Sequence, residues 1–172
     1  GSRITHTATG PHDGTITVEN TSIKYSNLTP ILDTTPATNY TFNAFLSSTA
    51  NIGFVDGGVQ GGFQTTQVND GGTSNFETTS FANKVNVTFN VNGFGSTVTV
   101  NSPIAAVGLT QLTLTGNQGA IANGASTFNI TPDPSVPITV TGNLDSGAPT
   151  DALIVDVTGA TNINITANYS ST

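Results

Sequence analysis

Apolar and polar residues alternate with period two along most of this chain, and apolar spacing of the helical kind is almost missing. Thr15–Glu19 alternates through Ile16 and Val18, and Ser22–Ser26 through Ile23 and Tyr25. Asn39–Leu46 sets Tyr40, Phe42, Ala44 and Leu46 on one side. The clearest run is Lys84–Asn92, with Val85, Val87, Phe89 and Val91 on one face and Asn86, Thr88, Asn90 and Asn92 on the other. Further strands are predicted at Thr97–Asn101, Thr110–Thr115, Ser126–Thr131, Val136–Thr141, Ala152–Val157 and Asn162–Tyr169.

Turn chemistry agrees with this pattern. Asn92-Gly93 and Asn123-Gly124 lie between alternating runs, where residues that accept positive φ signal hairpins. Most prolines fall between runs, where a missing donor does no harm. About ten short antiparallel strands with frequent turns predict an all-β fold, a single β-sandwich of jelly-roll or immunoglobulin-like kind. The whole chain, 1–172, reads as one domain; Gly1-Ser2 resembles a cloning scar and residues 3–14 an extended N-terminal strand. Phrases such as Thr-Ile-Thr-Val recur without a fixed period, which argues against a solenoid. Gly53–Gly72, with seven glycines, reads as a long exposed loop carrying one short strand at Phe63–Val68.

Composition changes the picture at one point. Only 13 of 172 residues are charged, while the chain holds 32 Thr, 19 Asn, 14 Ser and 19 Gly. An ordinary domain is about one quarter charged, so hydroxyls and amides must keep this surface in solution. That chemistry suits a secreted, extracellular or cell-surface setting. The net charge of −7 reflects a shortage of bases, with only Arg3, Lys24 and Lys84 present. Three cations cannot neutralise a phosphate tract or an anionic bilayer, which excludes nucleic acid and membrane-surface binding. No apolar run reaches the roughly 18 residues of a spanning helix, and no secretory leader is legible. The absence of Cys removes disulfides, thiolate metal sites and thiol nucleophiles together.

Candidate chemistry is sparse. Asp56, Asp70 and Glu77 flank the Gly-rich segment and form a candidate calcium site, since calcium takes carboxylates with backbone carbonyls. Asp145, Asp151 and Asp156 form a second loose acidic group. His6, His12 and Asp13 lack a third strong ligand for zinc and read as surface residues. No nucleophile elbow accompanies the Ser, His and Asp present, and the chain lacks the aromatic sugar platforms that usually accompany paired glycosidase carboxylates. Lys24 and Lys84 raise the idea of a Lys–Asn isopeptide cross-link, but alternation sets both opposite the apolar faces, as exposed lysines that guard edges. Seven Asn-x-Ser/Thr sequons match what the composition alone produces. Thr-x-Thr rows suggest ice binding only where they form a regular flat array, and their sequence spacing is irregular.

Two functional expectations result. The first is a non-enzymatic structural or surface protein that self-assembles, or pairs with other surface proteins, through β-strands in a filament, biofilm matrix, surface layer or virion appendage. Ile4–Thr9 and Asn162–Tyr169 are the segments available for strand donation. The second is a glycan- or ligand-binding adhesion module, calcium-stabilised, with Phe63, Gln64 and Asn75 as contacts beside Phe54, Phe76 and Phe81.

Overall fold

A computed structural model describes residues 1–101, 106–116, 124–142 and 151–158. The predicted strand Asn162–Tyr169, the Asp145 carboxylate and Asn123 lie outside them. Fourteen strands follow in order: β1 (Arg3–Gly10), β2 (Asp13–Val18), β3 (Thr21–Tyr25), β4 (Ile31–Asp33), β5 (Ala37–Phe45), β6 (Asn51–Gln60), β7 (Phe63–Asn69), β8 (Thr79–Phe81), β9 (Lys84–Asn92), β10 (Thr97–Val100), β11 (Gln111–Thr115), β12 (Thr127–Ile130), β13 (Ile138–Thr141) and β14 (Ala152–Val155). Among the described residues there is no helix, hence none long and apolar enough to cross a membrane.

The all-β expectation holds and two sheets face each other, but the strands are not an antiparallel sandwich of ten. One sheet runs β13-β11-β9-β5-β1-β2-β3 and the other β14-β12-β10-β6-β7-β8-β4. From β9 onward the chain alternates between them. The neighbours β5, β9, β11 and β13 pair in parallel, as do β6, β10, β12 and β14. Each turn of the chain therefore adds one strand to each sheet, the connectivity of a β-solenoid. Four coils result: β5 with β6, β9 with β10, β11 with β12, and β13 with β14. The hairpins β1-β2-β3 and β6-β7-β8 add antiparallel strands at the N-terminal end.

The period is hidden because the coils differ in length. Thr41, Thr88, Thr113 and Thr139 are register partners, although 47, 25 and 26 residues separate them. The longest interval contains the β7-β8 excursion. Asn92-Gly93 makes a corner, not a hairpin: Gly93 has φ 96°, but β9 and β10 belong to different sheets. Strands β11 and β12 likewise belong to different sheets and do not form the hairpin expected at Asn123-Gly124. Gly53–Gly72 is no open loop either, since β6 pairs with β7 from Gly53↔Asn69 to Gln60↔Phe63. Its glycines permit close approach; a Cβ on Gly57 would collide with the Thr65 hydroxyl.

Parallel register makes the interior a set of stacks. Ile4, Tyr40, Val87, Leu112 and Ile138 form one file, and His6, Phe42, Phe89, Leu114 and Val140 the next. From the opposite sheet, Phe54 meets Phe89 edge-on at 5.1 Å, while Phe42 stacks on Phe89 at 5.2 Å. One apolar cluster runs through all of this. The corners repeat as well. Ala50 N–H donates to Ser96 Oγ (2.9 Å), Ser96 N–H to Ser126 Oγ (3.4 Å), and Ser126 N–H to Asp151 Oδ1 (2.6 Å). Each coil thus caps a backbone donor of the coil before it, at a buried position where an unmet donor would be costly.

Phe89 lies at the crossing of three aromatic contacts and is 1% exposed. Phe89→Ala should cost about 3–5 kcal/mol by denaturant unfolding, whereas Phe45→Ala, on a side chain 53% exposed, should cost well under half of that.

Candidate functional site

The carboxylates expected to share a cation have separate tasks. Asp56 Oδ1 accepts from Gly58 N–H (2.8 Å) and from the Gln64 amide. Asp70 accepts the backbone N–H groups of Gly72, Asn75 and Phe76, shaping the turn after β7. Glu77 is paired with His12 Nδ1 at 2.7 Å. Among the described residues no three His, Cys, Asp or Glu side chains come together. The ligand contacts separate in the same way. Phe63 is part-exposed at the β6-β7 turn, Gln64 is bound to Asp56, and Asn75 is buried with Oδ1 accepting from Ser47 and Ser48. Phe54, Phe76 and Phe81 are core residues.

Two polar groups read as exposed are instead buried near the first coils. Lys84 is 0% exposed. The chain enters β9 through Asn83, whose left-handed backbone (φ 59°) breaks the alternation that holds from Asn86 onward. Lys84 Nζ donates to Asp33 Oδ1 (2.9 Å), to the Asp33 carbonyl (3.3 Å) and to the Thr35 carbonyl. Three acceptors suit an ammonium, and none is the Asn side chain that an isopeptide bond would require. Burial lowers the Lys84 pKa, and the hydrogen bond and charge of Asp33 oppose that shift. The pair ties β9 of one sheet to β4 of the other. Lys24, by contrast, is exposed on the edge strand β3.

His6 is 1% exposed, not a surface histidine. It occupies a core file 4.4 Å from the Phe42 ring, with Nε2 2.7 Å from the Tyr25 hydroxyl and Nδ1 3.3 Å from that of Tyr40. Desolvation lowers its pKa to about 4, against a smaller raising effect from Asp33. Burial raises Tyr25 to about 12 and Tyr40 well above its ordinary value. All three side chains are therefore neutral near pH 7 and act as a hydrogen-bonded plug.

A shallow hollow of about 380 Å³ lies over the start of β6, β10 and β12, lined by Thr49, Asn51, Thr73, Ser96, Thr97, Thr127 and small residues. Its lining holds no ionisable side chain. The most extensive ordered feature is the outer face of the sheet containing β1, β5, β9, β11 and β13. Thr5, Thr41, Thr88, Thr113 and Thr139 stand in one row, continued by Thr17 and Ser22 on the antiparallel side. Thr7, Asn43, Asn90, Thr115 and Thr141 form the next row, continued by Thr15 and Lys24. Side-chain bonds brace it: Asn86 Nδ2 donates to Asn39 Oδ1 (3.2 Å) and Asn90 Nδ2 to Asn43 Oδ1 (2.8 Å). Irregular sequence spacing thus conceals an array that is regular in space. The chain matches no family model, no curated protein and no solved structure.

Two measurements probe the buried groups. Above pH 6.5, the unfolded value, His6 is neutral in both states and does not alter stability. Between pH 6.5 and about 4 the unfolded chain takes up a proton that the folded chain refuses. Stability should fall across that window by up to about 3 kcal/mol, and urea titrations of His6→Phe should lack this component. Lys84→Met strands the Asp33 carboxylate in the interior and should cost roughly 3–5 kcal/mol. Adding Asp33→Leu should restore much of that loss, a coupling a double-mutant cycle measures.

Proposed function

We propose that this chain is a non-catalytic structural module of an extracellular or cell-surface protein, and that it associates coil on coil through the ends of its sheets. The observation that carries this reading is the parallel, in-register coil stack. A solenoid buries its core by stacking neighbours, so a coil without a neighbour exposes apolar surface. Among the described residues β14 is the last strand of its sheet, and the exposure is visible there. Leu153 is the register partner of the buried Phe128, and it is 49% exposed.

The composition supports the same reading. With few charges, repulsion between edges is weak, and hydroxyl and amide surfaces meet a neighbour without desolvating ions. The N-terminal end differs: β4 is only three residues long, and β3 carries Lys24 outward, both features that discourage pairing. Growth is therefore assigned to the β13-β14 end. Strand donation by Ile4–Thr9 is not part of this proposal, because that segment is β1 and already pairs with β2 and β5.

Sedimentation velocity over a concentration series should show larger species accumulating as concentration rises. Leu153→Lys should hold the chain at monomer mass while leaving its β circular dichroism unchanged. A wild-type chain that sediments as a monomer at every concentration overturns the proposal.

A further inference from the structure

We propose that the outer face of the β3-to-β13 sheet binds ice, taking as its ligand the ordered water of a growing crystal surface. Neighbouring strands lie about 4.8 Å apart, and alternate residues along a strand about 6.6 Å apart. Rows of register partners therefore set Thr and Asn side chains on a rectangular net of those dimensions, close to the oxygen net on the prism face of hexagonal ice. Seven strands carry the Thr5–Thr88 row, which makes it roughly 29 Å across.

The residue type suits the ligand. A threonine presents a methyl group, which orders adjacent water, beside a hydroxyl that hydrogen-bonds to it. The side chains are also held in place. Ladder bonds join Asn39 to Asn86, Asn43 to Asn90 and Thr17 to Ser22 (2.9 Å), the kind of side-chain ladder that accompanies flat sheets. Ordering therefore precedes binding, which lowers its entropic cost.

Charge complementarity points the same way, because an ice lattice is neutral and a charged side chain would disrupt it. The chain carries ten carboxylates, yet none lies in either row, and the cations of this face stand at its margins: Lys24 on the edge strand and Arg3 at the start of β1, beside Asn39. A crystalline polysaccharide would also be a flat neutral ligand, but its usual aromatic platforms are missing from both rows.

Coil stacking alone does not enforce this face. The other sheet has the same parallel pairing; one of its outer rows, Asn51, Thr97, Thr127 and Ala152, is short, and the next reads Asn69, Gly53, Thr99, Asn129 and Ile154. That row mixes sizes and polarities, and a register shift at Asp56–Gly58 interrupts its sheet. Among the described residues, rows of Thr, Ser and Asn six or seven strands long are found on the first face.

The test uses the full chain in dilute buffer with a single ice crystal under a nanolitre osmometer. Wild type should separate the freezing from the melting temperature, increasingly with concentration, and should facet the crystal. Thr88→Lys and Thr113→Lys, in the middle of the face, should lose most of that gap. Thr99→Lys, on the opposite sheet, should keep it. Circular dichroism and melting curves identify any variant that fails to fold, and for those Thr88→Val tests the same position without adding charge. A wild type with no freezing gap and rounded crystals overturns the proposal. So does an equal loss from Thr99→Lys, or retention on crystalline cellulose or chitin without activity on ice. The proposal is independent of coil-on-coil association, since a monomer that shapes ice would uphold it while sinking self-assembly.

Discussion

Parallel in-register pairing between successive coils is the constraint from which the other features of this chain derive. Once β9 lies beside β5 in register, each residue of one coil repeats its neighbour's environment. Apolar positions become files running through the interior, as in His6–Phe42–Phe89–Leu114. Corner positions become a ladder in which Ser96, Ser126 and Asp151 each cap a backbone donor of the preceding coil. Outward positions become rows of hydroxyls and amides. A parallel sheet is usually covered on both faces; here one face of each is open, and polar side chains cover what helices cover elsewhere.

Local patterns in the sequence carried the strands well, because alternation depends only on having one buried face. Lys84–Asn92 is β9 with the predicted bounds, and β2, β3, β5, β10, β11, β12, β13 and β14 fall within two residues of the expected runs. Topology was not legible for identifiable reasons. Asn-Gly reports a left-handed backbone, and a corner between sheets needs that conformation as much as a hairpin does. Unequal coil lengths, stretched by the β7-β8 excursion, erase the period that would reveal a solenoid. In β6, glycines that allow close approach to β7 resemble the glycines of a loop. The Thr-x-Thr phrases were visible, but their alignment exists only in the register.

The buried polar groups escaped sequence reading because each departs from a rule that holds nearby. Lys84 follows a left-handed Asn83, so the outward parity of its strand does not extend to it. His6 occupies an inward position of β1, where an imidazole needs two tyrosine hydroxyls from β3 and β5 to be tolerated. His6 lies on β1, where antiparallel and parallel strands meet, and Lys84 reaches from β9 to Asp33 on β4, the last strand of the other sheet. Polar pairing there substitutes for packing, and it fixes how the N-terminal strands join the solenoid.

The coil register underlies every face of the fold, and methyl NOEs on threonine-labelled protein measure it directly. Methyl contacts should link Thr41 to Thr88, Thr88 to Thr113 and Thr113 to Thr139, in that order and with no steps skipped. Contacts instead between residues of β9 and β10, as a hairpin at Asn92-Gly93 would produce, would contradict the solenoid and the faces built upon it.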